Sequence, residues 1–600
     1  MDDDGRPVDH AAPLTLGESP LLRLFLAAIA LGFLVSFAVG WFLPASLVGV
    51  GDWDWVFSDA WLSASGLLER GWPPLWSIQL AGGAPLAADP ESLSHSPFLI
   101  LPLALGPIVG TKLLVTLLIA AGLVGCHRLG RRWIGDEVGA TVFAFVFVFS
   151  GHFAIHFRVG HLPWAVFYLV PWVLLYADRL LFDRDPGLAA SIGLLASLVA
   201  LFSGPVYHAL TFFLLPVAVL YGLLDGRRAP SNRVRHVLTL TFCAAALTMP
   251  RWLAVISWEQ RTPRNVTGYG GMPWVEMAKM LVTPIQDYKT PAPWGGSGVW
   301  EYWSYVGIVT GMLAIVSLGT RGRSRMLAVA CLGAAMILAW RGPWGAPLAW
   351  IAPHVPFLYS VRAFSRFVVL AVFGIALLAG NAIGALRRRA PGRLAWVPLL
   401  LLLAIVGDYS LVVRPVWSKV FALHPAEAYR DWGVTVPGQR YATTRSAPPF
   451  QTFNSQREMF NSRMLPLLMA GAVVRNAYIS MALPWPRPPE GNVVEGLAEG
   501  AYRLRNHEID LSGDLRPGQE IKIHLHYKRA YWEVVDPTSA NIDWDPAGMK
   551  LDILKPCQNV RIVFRTGKES FGWIISGLAV VATSAVLRRR ASTLRPAERT

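Results

Sequence analysis

The chain has 600 residues, of which 54% are hydrophobic and only 16% charged, with a mean hydropathy of +0.41. That composition excludes an ordinary soluble domain and belongs to a membrane protein. The formal net charge of +15 would suit nucleic acid, but the basic residues fall in short clusters between apolar runs. Topology and anionic headgroups account for them, and nucleic acid is set aside as a partner.

The N-terminal stretch MDDDGRPVDH is acidic and lacks a basic region ahead of its apolar run, so the first run is expected to be a retained span and not a cleaved signal. About twelve apolar runs are long enough, or nearly long enough, to cross a bilayer. They are Leu21–Leu43, Pro107–Cys126, Val138–Ser150, Leu162–Leu181, Leu188–Phe202, Val206–Leu224, Val237–Ile256, Tyr302–Leu318, Met326–Trp340, Phe367–Leu386, Leu394–Leu411 and Phe571–Leu587. Pro97–Gly106 reads as an extra re-entrant or tilted piece. Cys126, Cys243 and Cys331 lie in or beside these runs and Cys557 stands alone, so no disulfide framework is expected.

Basic clusters fix the orientation. Arg128, Arg131 and Arg132 follow the second run, and Arg227, Arg228, Arg233 and Arg235 the sixth. Arg321, Arg323 and Arg325 follow the eighth, Arg387, Arg388, Arg389 and Arg393 the tenth, and Arg588, Arg589 and Arg590 the last. With twelve spans all fall on one side, which the positive-inside bias makes cytoplasmic. Both termini are then cytoplasmic in a plasma (inner) membrane. The expected fold class is mainly α, a polytopic helical bundle carrying a small β-rich extracytoplasmic domain. Residues 1–411 form the multi-span module, with outer loops 44–98 and 257–301. Residues 412–570 form the β-rich domain, where IKIHLHYK, YWEVVD and NVRIVFR alternate as strands of a sandwich. Residues 571–600 supply the last span and a basic tail.

The first outer loop, Gly51–Phe98, gathers Asp52, Asp54, Asp59, Glu69, Asp89 and Glu91 with tryptophans. It reads as a site; the plainer reading is an interfacial loop with solvated acids. Gly71, Pro73, Pro74, Gly82, Gly83, Pro85 and Pro90 prevent it from being one helix. In an extended segment Asp52 and Asp54 would face one cavity and hold a cation or serve as a base; in a helix they would diverge. Asp89, Glu91 and His95 stand at spacings that converge on a ligand or cap a re-entrant turn. Ser150–Trp164 holds His152, His156, Arg158 and His161. His152 and His156 share a helical face; a zinc site lacks its glutamate, and a cationic cluster meeting phosphate is the better reading. Arg251 lies inside the seventh run, with Arg261 and Arg264 beyond it, and Arg362 and Arg366 open the tenth. They read as a clamp for a lipid-linked phosphate, or as snorkelling to headgroups. Trp274, Trp294, Trp300, Trp303, Trp344 and Trp350 crowd the outer loops as sugar-stacking faces or as an aromatic belt.

The acids just after the first run, the GGAPLAADPES segment, LFSGPVYHALTFF, WEYWSYVGI and FLYSVRAFSRFVVLAVFGIALLAG resemble, in that order, segments of bacterial YfhO-type membrane proteins. These belong to the GT-C superfamily of polyprenyl-phosphate-sugar-dependent glycosyltransferases. The resemblance implies inverting transfer of a sugar from a polyprenyl-phosphate carrier to an extracytoplasmic acceptor, whether glycan, lipid or protein. It implies Asp52 as the base, with Asp54 as its alternative or helper, and Arg251, Arg362 and Arg366 on the leaving phosphate. Asp89, Glu91, His95 and His161 are the further substrate-binding candidates, and membrane lipids are partners. No cofactor is required by this reading; a divalent cation held by the acids is the one candidate, and the metal ligands stay unassigned. The end of the outer domain departs from the family pattern, with only RAYWEVVD in place of its aromatic and glycine features. Two rival classes are a transporter or flippase of lipid-linked sugars and a non-catalytic envelope-assembly protein. A transporter would show polar residues deep in several spans and repeat symmetry between halves.

The orientation has a direct check. In a background without the native cysteines, a cysteine in the Ile521–Lys528 strand labels with an impermeant reagent from outside only. One in the Arg387–Arg389 cluster labels from inside only. Labelling of both from the same face rejects the arrangement.

Overall fold

The computed structural model describes residues 20–43, 47–49, 52–70, 86, 89–224, 229–259, 271–284, 298–319, 323–341, 347–351, 354, 361, 363–389, 396–422, 441–442, 473–474, 494–497, 501–505, 508–523, 532–536, 538–545, 548–564 and 567–593. The membrane module begins with α1 (Pro20–Phe42) and an 18-residue helix, α2 (Trp53–Arg70). A 3-10 turn, Pro97–Leu99, leads into the short α3 (Ile100–Leu105). Gly106, at φ 80°, reverses the chain into α4 (Pro107–Ile134), which starts on a proline whose missing N–H costs nothing there. Gly135, in the left-handed region, ends α4, and the Asp136 carboxylate caps α5 (Glu137–Phe149) by accepting the Gly139 amide at 2.7 Å.

Next come α6 (Gly151–Arg158), a 3-10 stretch over Leu162–Leu169, α7 (Val170–Phe182) and α8 (Gly187–Ser203). The following helix, α9 (Tyr207–Leu224), contains a π-helical turn at Leu210–Leu214. After it run α10 (Ser231–Leu247), α11 (Met249–Glu259), α12 (Trp274–Val282), α13 (Ile308–Ser317), α14 (Arg323–Leu338), α15 (Val368–Arg389), α16 (Val397–Val412) and α17 (Arg414–Ser418). The last helix is α18 (Gly567–Thr593).

A helix underlies each of the twelve apolar runs, and among the described residues six meet the length and hydropathy of a full span by themselves, or seven if a bent pair counts as one. Two expectations are corrected. Val237–Ile256 is not one straight span: α10 and α11 meet at a 71° bend beside Thr248, where Pro250 follows and cannot continue the helical hydrogen-bond ladder. The eighth run does not become helical at Tyr302 but at Ile308, after Gly307 at φ 85°. Tyr302–Val306 is instead without regular secondary structure and meets the start of α6, where the Gly151 amide donates to the Tyr305 carbonyl at 2.8 Å.

The hydrophobic centre is α5, buried along its whole length, packed between α4 and α15. At the arginine-rich ends charges are compensated within the protein. The buried Glu137 carboxylate meets Arg131 at 2.7 Å, His127 at 3.0 Å and Arg23 at 3.1 Å. Arg387 meets Asp136 at 3.1 Å, and Arg132 pairs with Asp178 and Asp183. A buried acid without such partners would be costly.

The β-rich region is a two-layer sandwich. Its strands are β1 (Val494–Glu495), β2 (Tyr502–Arg505), β3 (Glu508–Leu515), β4 (Glu520–Ile523), β5 (Trp532–Val534), β6 (Ala540–Asp545), β7 (Gly548–Ile553) and β8 (Cys557–Phe564). One sheet has the order β2-β3-β8-β5 and the other β1-β4-β7-β6, all pairings antiparallel. Ile509, Leu511, Val560 and Ile562 from the first meet Ile521, Ile523, Met549 and Leu551 from the second in a separate apolar core. That alternation is the period-2 pattern of a strand with one buried face. Leu551 is fully buried there. Leu551→Ala is expected to cost about 2–5 kcal/mol, read as a loss of hydrogen-exchange protection confined to β3, β4, β7 and β8.

Candidate functional site

The described part of Gly51–Phe98 is organised by how α2 begins. The Asp52 amide donates to the Val159 carbonyl at 2.8 Å, and the buried Trp53 indole donates to the Phe157 carbonyl at 2.7 Å. The start of α2 is thereby docked on the turn that ends α6. Gly160 makes that approach possible: it sits at φ 93°, and a β-carbon there would lie 2.4 Å from the Trp53 nitrogen. Asp52 precedes the helix in a turn and Asp54 lies in its first turn. The pair is therefore not in an extended segment, and the argument that alternate residues share a face does not apply to it. The Asp54 side chain lies outside the described part.

The Asp52 carboxylate, whose side chain is 35% exposed, lies 3.4 Å from the His161 Nε2. His161 in turn faces His156, with 2.8 Å between their Nδ1 atoms. His152, His156 and Trp164 form a compact group of rings, with centroids 4.3–4.6 Å apart. His152 Nδ1 meets the Ser304 hydroxyl at 3.0 Å. Trp164 approaches His208 on α9. The guanidinium of Arg366 grips the buried Glu301 with two hydrogen bonds of 2.8 Å and also meets His208. The outer group thus runs from an accessible carboxylate to a buried Arg–Glu pair. His152 Nε2, His156 Nε2 and Trp164 Nε1 are buried without a hydrogen-bond partner, an arrangement that a folded core seldom keeps without a use.

A second group hangs from the same helix. Asp59 is seven residues after Asp52, about two turns or roughly 10 Å along α2. Its Oδ2 accepts the Leu93 amide at 2.9 Å. Arg251, 3% exposed, reaches from α11 to donate to the Ser92 carbonyl at 2.8 Å and the Pro90 carbonyl at 2.9 Å. Asp89 accepts the Glu91 amide at 2.8 Å, and Ser92 accepts the Ser94 amide at 3.0 Å. These are the bonds of a capped turn. His95 Nδ1 meets the Ser94 hydroxyl at 3.1 Å.

Electrostatics in this second group follow from burial. Desolvation pushes Asp59 up to about 6, although the Leu93 amide, the Ser92 hydroxyl and Arg251 pull the other way. Burial, with the Glu91 and Asp59 charges adding to it, pushes Asp89 up to about 7. Burial, helped by Arg251, pushes His95 down to about 3, so its ring is neutral.

The expected common clamp of Arg251 and Arg366 is corrected. Among the described residues the two guanidiniums serve different groups: Arg251 holds the backbone of the 89–96 turn, and Arg366 is engaged by Glu301 and His208. A guanidinium that deep is stable only when its donors are satisfied, and protein acceptors satisfy them here. Arg362, Gly82, Gly83, Pro85, Arg261 and Arg264 lie outside the described residues. Among the described residues no group of three or more His, Cys, Asp or Glu is placed to hold a metal ion.

Four members of the site were not singled out from the sequence: Asp59, Glu301, His208 and Trp164. The signal for His208 was an ionisable residue inside an apolar run. For Asp59 it was the seven-residue spacing from Asp52, which puts both on one side of a helix.

No family model matches the chain, and no curated protein matches it. Among solved structures, the arabinofuranosyltransferase AftD from Mycobacteria matches with a TM-score of 0.47 and 18% identity, over 76% of this chain and 32% of that one. ArnT from Cupriavidus metallidurans, bound to undecaprenyl phosphate, matches with a TM-score of 0.41 and 12% identity, over 77% of this chain and 91% of that one. The Archaeoglobus fulgidus oligosaccharyltransferase matches with a TM-score of 0.41 and 12% identity, over 69% and 57%. The chain spans about a third of the length of AftD. At these scores the likenesses decide neither activity nor substrate.

The raised values of Asp59 and Asp89 carry a prediction. Both lie above the unfolded value of about 3.9, so the folded protein holds protons that the unfolded chain releases. Their stabilising contribution is complete below about pH 4 and is lost as the pH rises through 6 to 7. The thermal midpoint in detergent should therefore fall between pH 5 and pH 8, and the Asp59→Asn, Asp89→Asn double variant should flatten that fall. An unchanged slope removes these two acids as its source.

Proposed function

We propose that the protein is an integral-membrane glycosyltransferase of the GT-C type, which moves a sugar from a polyprenyl-phosphate carrier to an extracytoplasmic acceptor hydroxyl with inversion. One observation carries the reading. Asp52 presents a half-exposed carboxylate just beyond the end of α1, ahead of α2, beside the buried polar group of His152, His156, Trp164 and Arg366. That is where a lipid-borne donor and an aqueous acceptor can meet. The family resemblance of the first outer loop puts the base at the same position.

The chemistry balances without further reagents. The Asp52 carboxylate takes the proton of the acceptor hydroxyl. The acceptor oxygen forms a bond to the anomeric carbon from the face opposite the carrier. The bond from that carbon to the phosphate oxygen breaks, and its electron pair leaves with the polyprenyl phosphate, which gains a negative charge. One carboxylate suffices, because the leaving group is already a phosphate. Arg366, held by Glu301 and His208, and with it Arg362 four residues earlier, is assigned to the donor side, as the family resemblance implies. Arg251 is assigned to the 89–96 turn, with Asp89, Glu91 and His95, as the wall on which substrate rests.

The test is a panel of polyprenyl-phosphate-linked hexoses and pentoses presented to the purified protein in lipid. Asp52→Asn keeps the shape of the side chain and removes its basicity, and should slow transfer by about a hundred- to ten-thousand-fold, with elution and thermal midpoint unchanged. A folded Asp52→Asn protein that transfers at the wild-type rate removes Asp52 from the role. Carriers that cross the bilayer intact, unaffected by that substitution, would replace the transferase with a flippase.

A further inference from the structure

We infer that His161, backed by His156, is a positioning residue for Asp52: its Nε2–H fixes one carboxylate oxygen so that the other faces the acceptor hydroxyl. The inference rests on the proposed role of Asp52 and goes beyond it, because both histidines stood before only as candidates for cationic contact with phosphate.

The geometry decides the tautomers. The two Nδ1 atoms, 2.8 Å apart, share one hydrogen, so one ring donates and the other accepts. If His161 donated from Nδ1 as a neutral ring, its Nε2 lone pair would face the Asp52 carboxylate at 3.4 Å, which is repulsive. It would also leave an N–H on His156 Nε2, a buried atom with no acceptor. If His156 donates instead, His161 Nε2 carries its hydrogen toward the carboxylate, and His156 Nε2 is left as a lone pair. Only the second arrangement places a donor against both the second Nδ1 and the Asp52 carboxylate, and it leaves no buried N–H without an acceptor. Were His161 to carry an extra proton, Nε2–H would still face Asp52.

The surroundings hold the pair in place. The His156 ring is stacked on Trp164 at 4.4 Å and 15°, and the His161 amide donates to the His156 carbonyl at 3.0 Å. The charged and titratable groups that act on His156 are His152, His161, Arg366 and His208, and those that act on His152 are Arg366, Glu301 and His161. An oriented His161 therefore serves Asp52 as a directional donor. When Asp52 takes the acceptor's proton, the carboxyl oxygen bonded to His161 remains an acceptor and the new O–H sits on the other oxygen, where the acceptor was. The 3.4 Å separation is long for a hydrogen bond and is of the kind that tightens when substrate closes a site.

The experiment compares His161→Ala, His161→Gln and His156→Ala in lipid with a transferable polyprenyl-phosphate sugar, folding being followed by gel filtration and intrinsic fluorescence. His161→Ala should lower kcat about a hundredfold with KM within threefold of wild type, and should move the acid limb of the pH–rate profile upward. His161→Gln, whose amide can still donate, should recover about tenfold of that loss. His156→Ala should lower kcat about tenfold, because His161 is then free to turn its lone pair toward Asp52. Equal rates in His161→Ala and wild type, or equally low rates in His161→Ala and His161→Gln with no pH shift, would overturn the inference. If His161→Ala does not fold, the Gln variant and His156→Ala decide. If the wild-type protein consumes no donor, the transferase reading fails by itself. The pair is then tested by carbodiimide modification of Asp52, followed by peptide mass spectrometry across pH. An upward shift of the modification profile in His161→Ala supports the coupling, and coincident profiles reject it.

Discussion

The structure depends on one tight contact, the seating of the first residues of α2 against the turn at Val159–Gly160. The bonds from the Asp52 amide and the Trp53 indole are made to backbone carbonyls, so they specify position without depending on a particular side chain across the contact. Gly160 has no side chain because a β-carbon would occupy the space of the Trp53 backbone. From that seat α2 projects Asp52 toward the histidines and, two turns on, Asp59 toward the 89–96 turn. Both polar groups of the outer face are thus referenced to a single helix, and an error in its start would displace them together.

The polar groups themselves follow the general economics of charge in an apolar setting. Among the described residues each buried cation answers to acceptors already in the protein: Arg366 to Glu301 and His208, Arg251 to two carbonyls, and Lys112 to the carbonyl of Trp41 at 2.7 Å, where it ties the end of α1 to α4. What such pairing gives is definite geometry more than net stability. Among the buried side-chain atoms without a hydrogen-bond partner, His152 Nε2, His156 Nε2 and Trp164 Nε1 belong to one group of rings beside the accessible carboxylate.

Much of the fold could be read from the residues because apolar runs and arginine clusters are coarse signals. The alternation of Ile521 and Ile523 similarly announced a strand with one buried face, and the sandwich followed. What the sequence did not disclose depended on partners far away in the chain. Whether Asp52 and Asp54 were extended or helical turned on a contact with Val159, about a hundred residues later, and local propensity is silent on that. Arg251 and Arg366 looked alike as arginines at outer helix ends, yet their acceptors, a pair of loop carbonyls and Glu301, could be identified only once the 89–96 turn and the Val299–Glu301 turn were in place. Val237–Ile256 was read as one apolar run, and the 71° break within it, beside Pro250, does not show in hydropathy.

The sandwich and the bend have a mechanical relation. β8 ends at Phe564 and α18 begins at Gly567, so three peptide units join them, a reach of about 11 Å at full extension. Below that joint α18 is seated on the bend. Gly572 lies where a β-carbon would come within 2.8 Å of Pro250, and the Ser576 hydroxyl donates to the Leu247 carbonyl at 2.9 Å. One residue past Pro250 is Arg251, which holds the 89–96 turn. A load applied to the sandwich, by a bound glycan or by a neighbouring protein, therefore has a short covalent route to α18. It arrives at the hinge beside the arginine that sets the shape of the first outer loop.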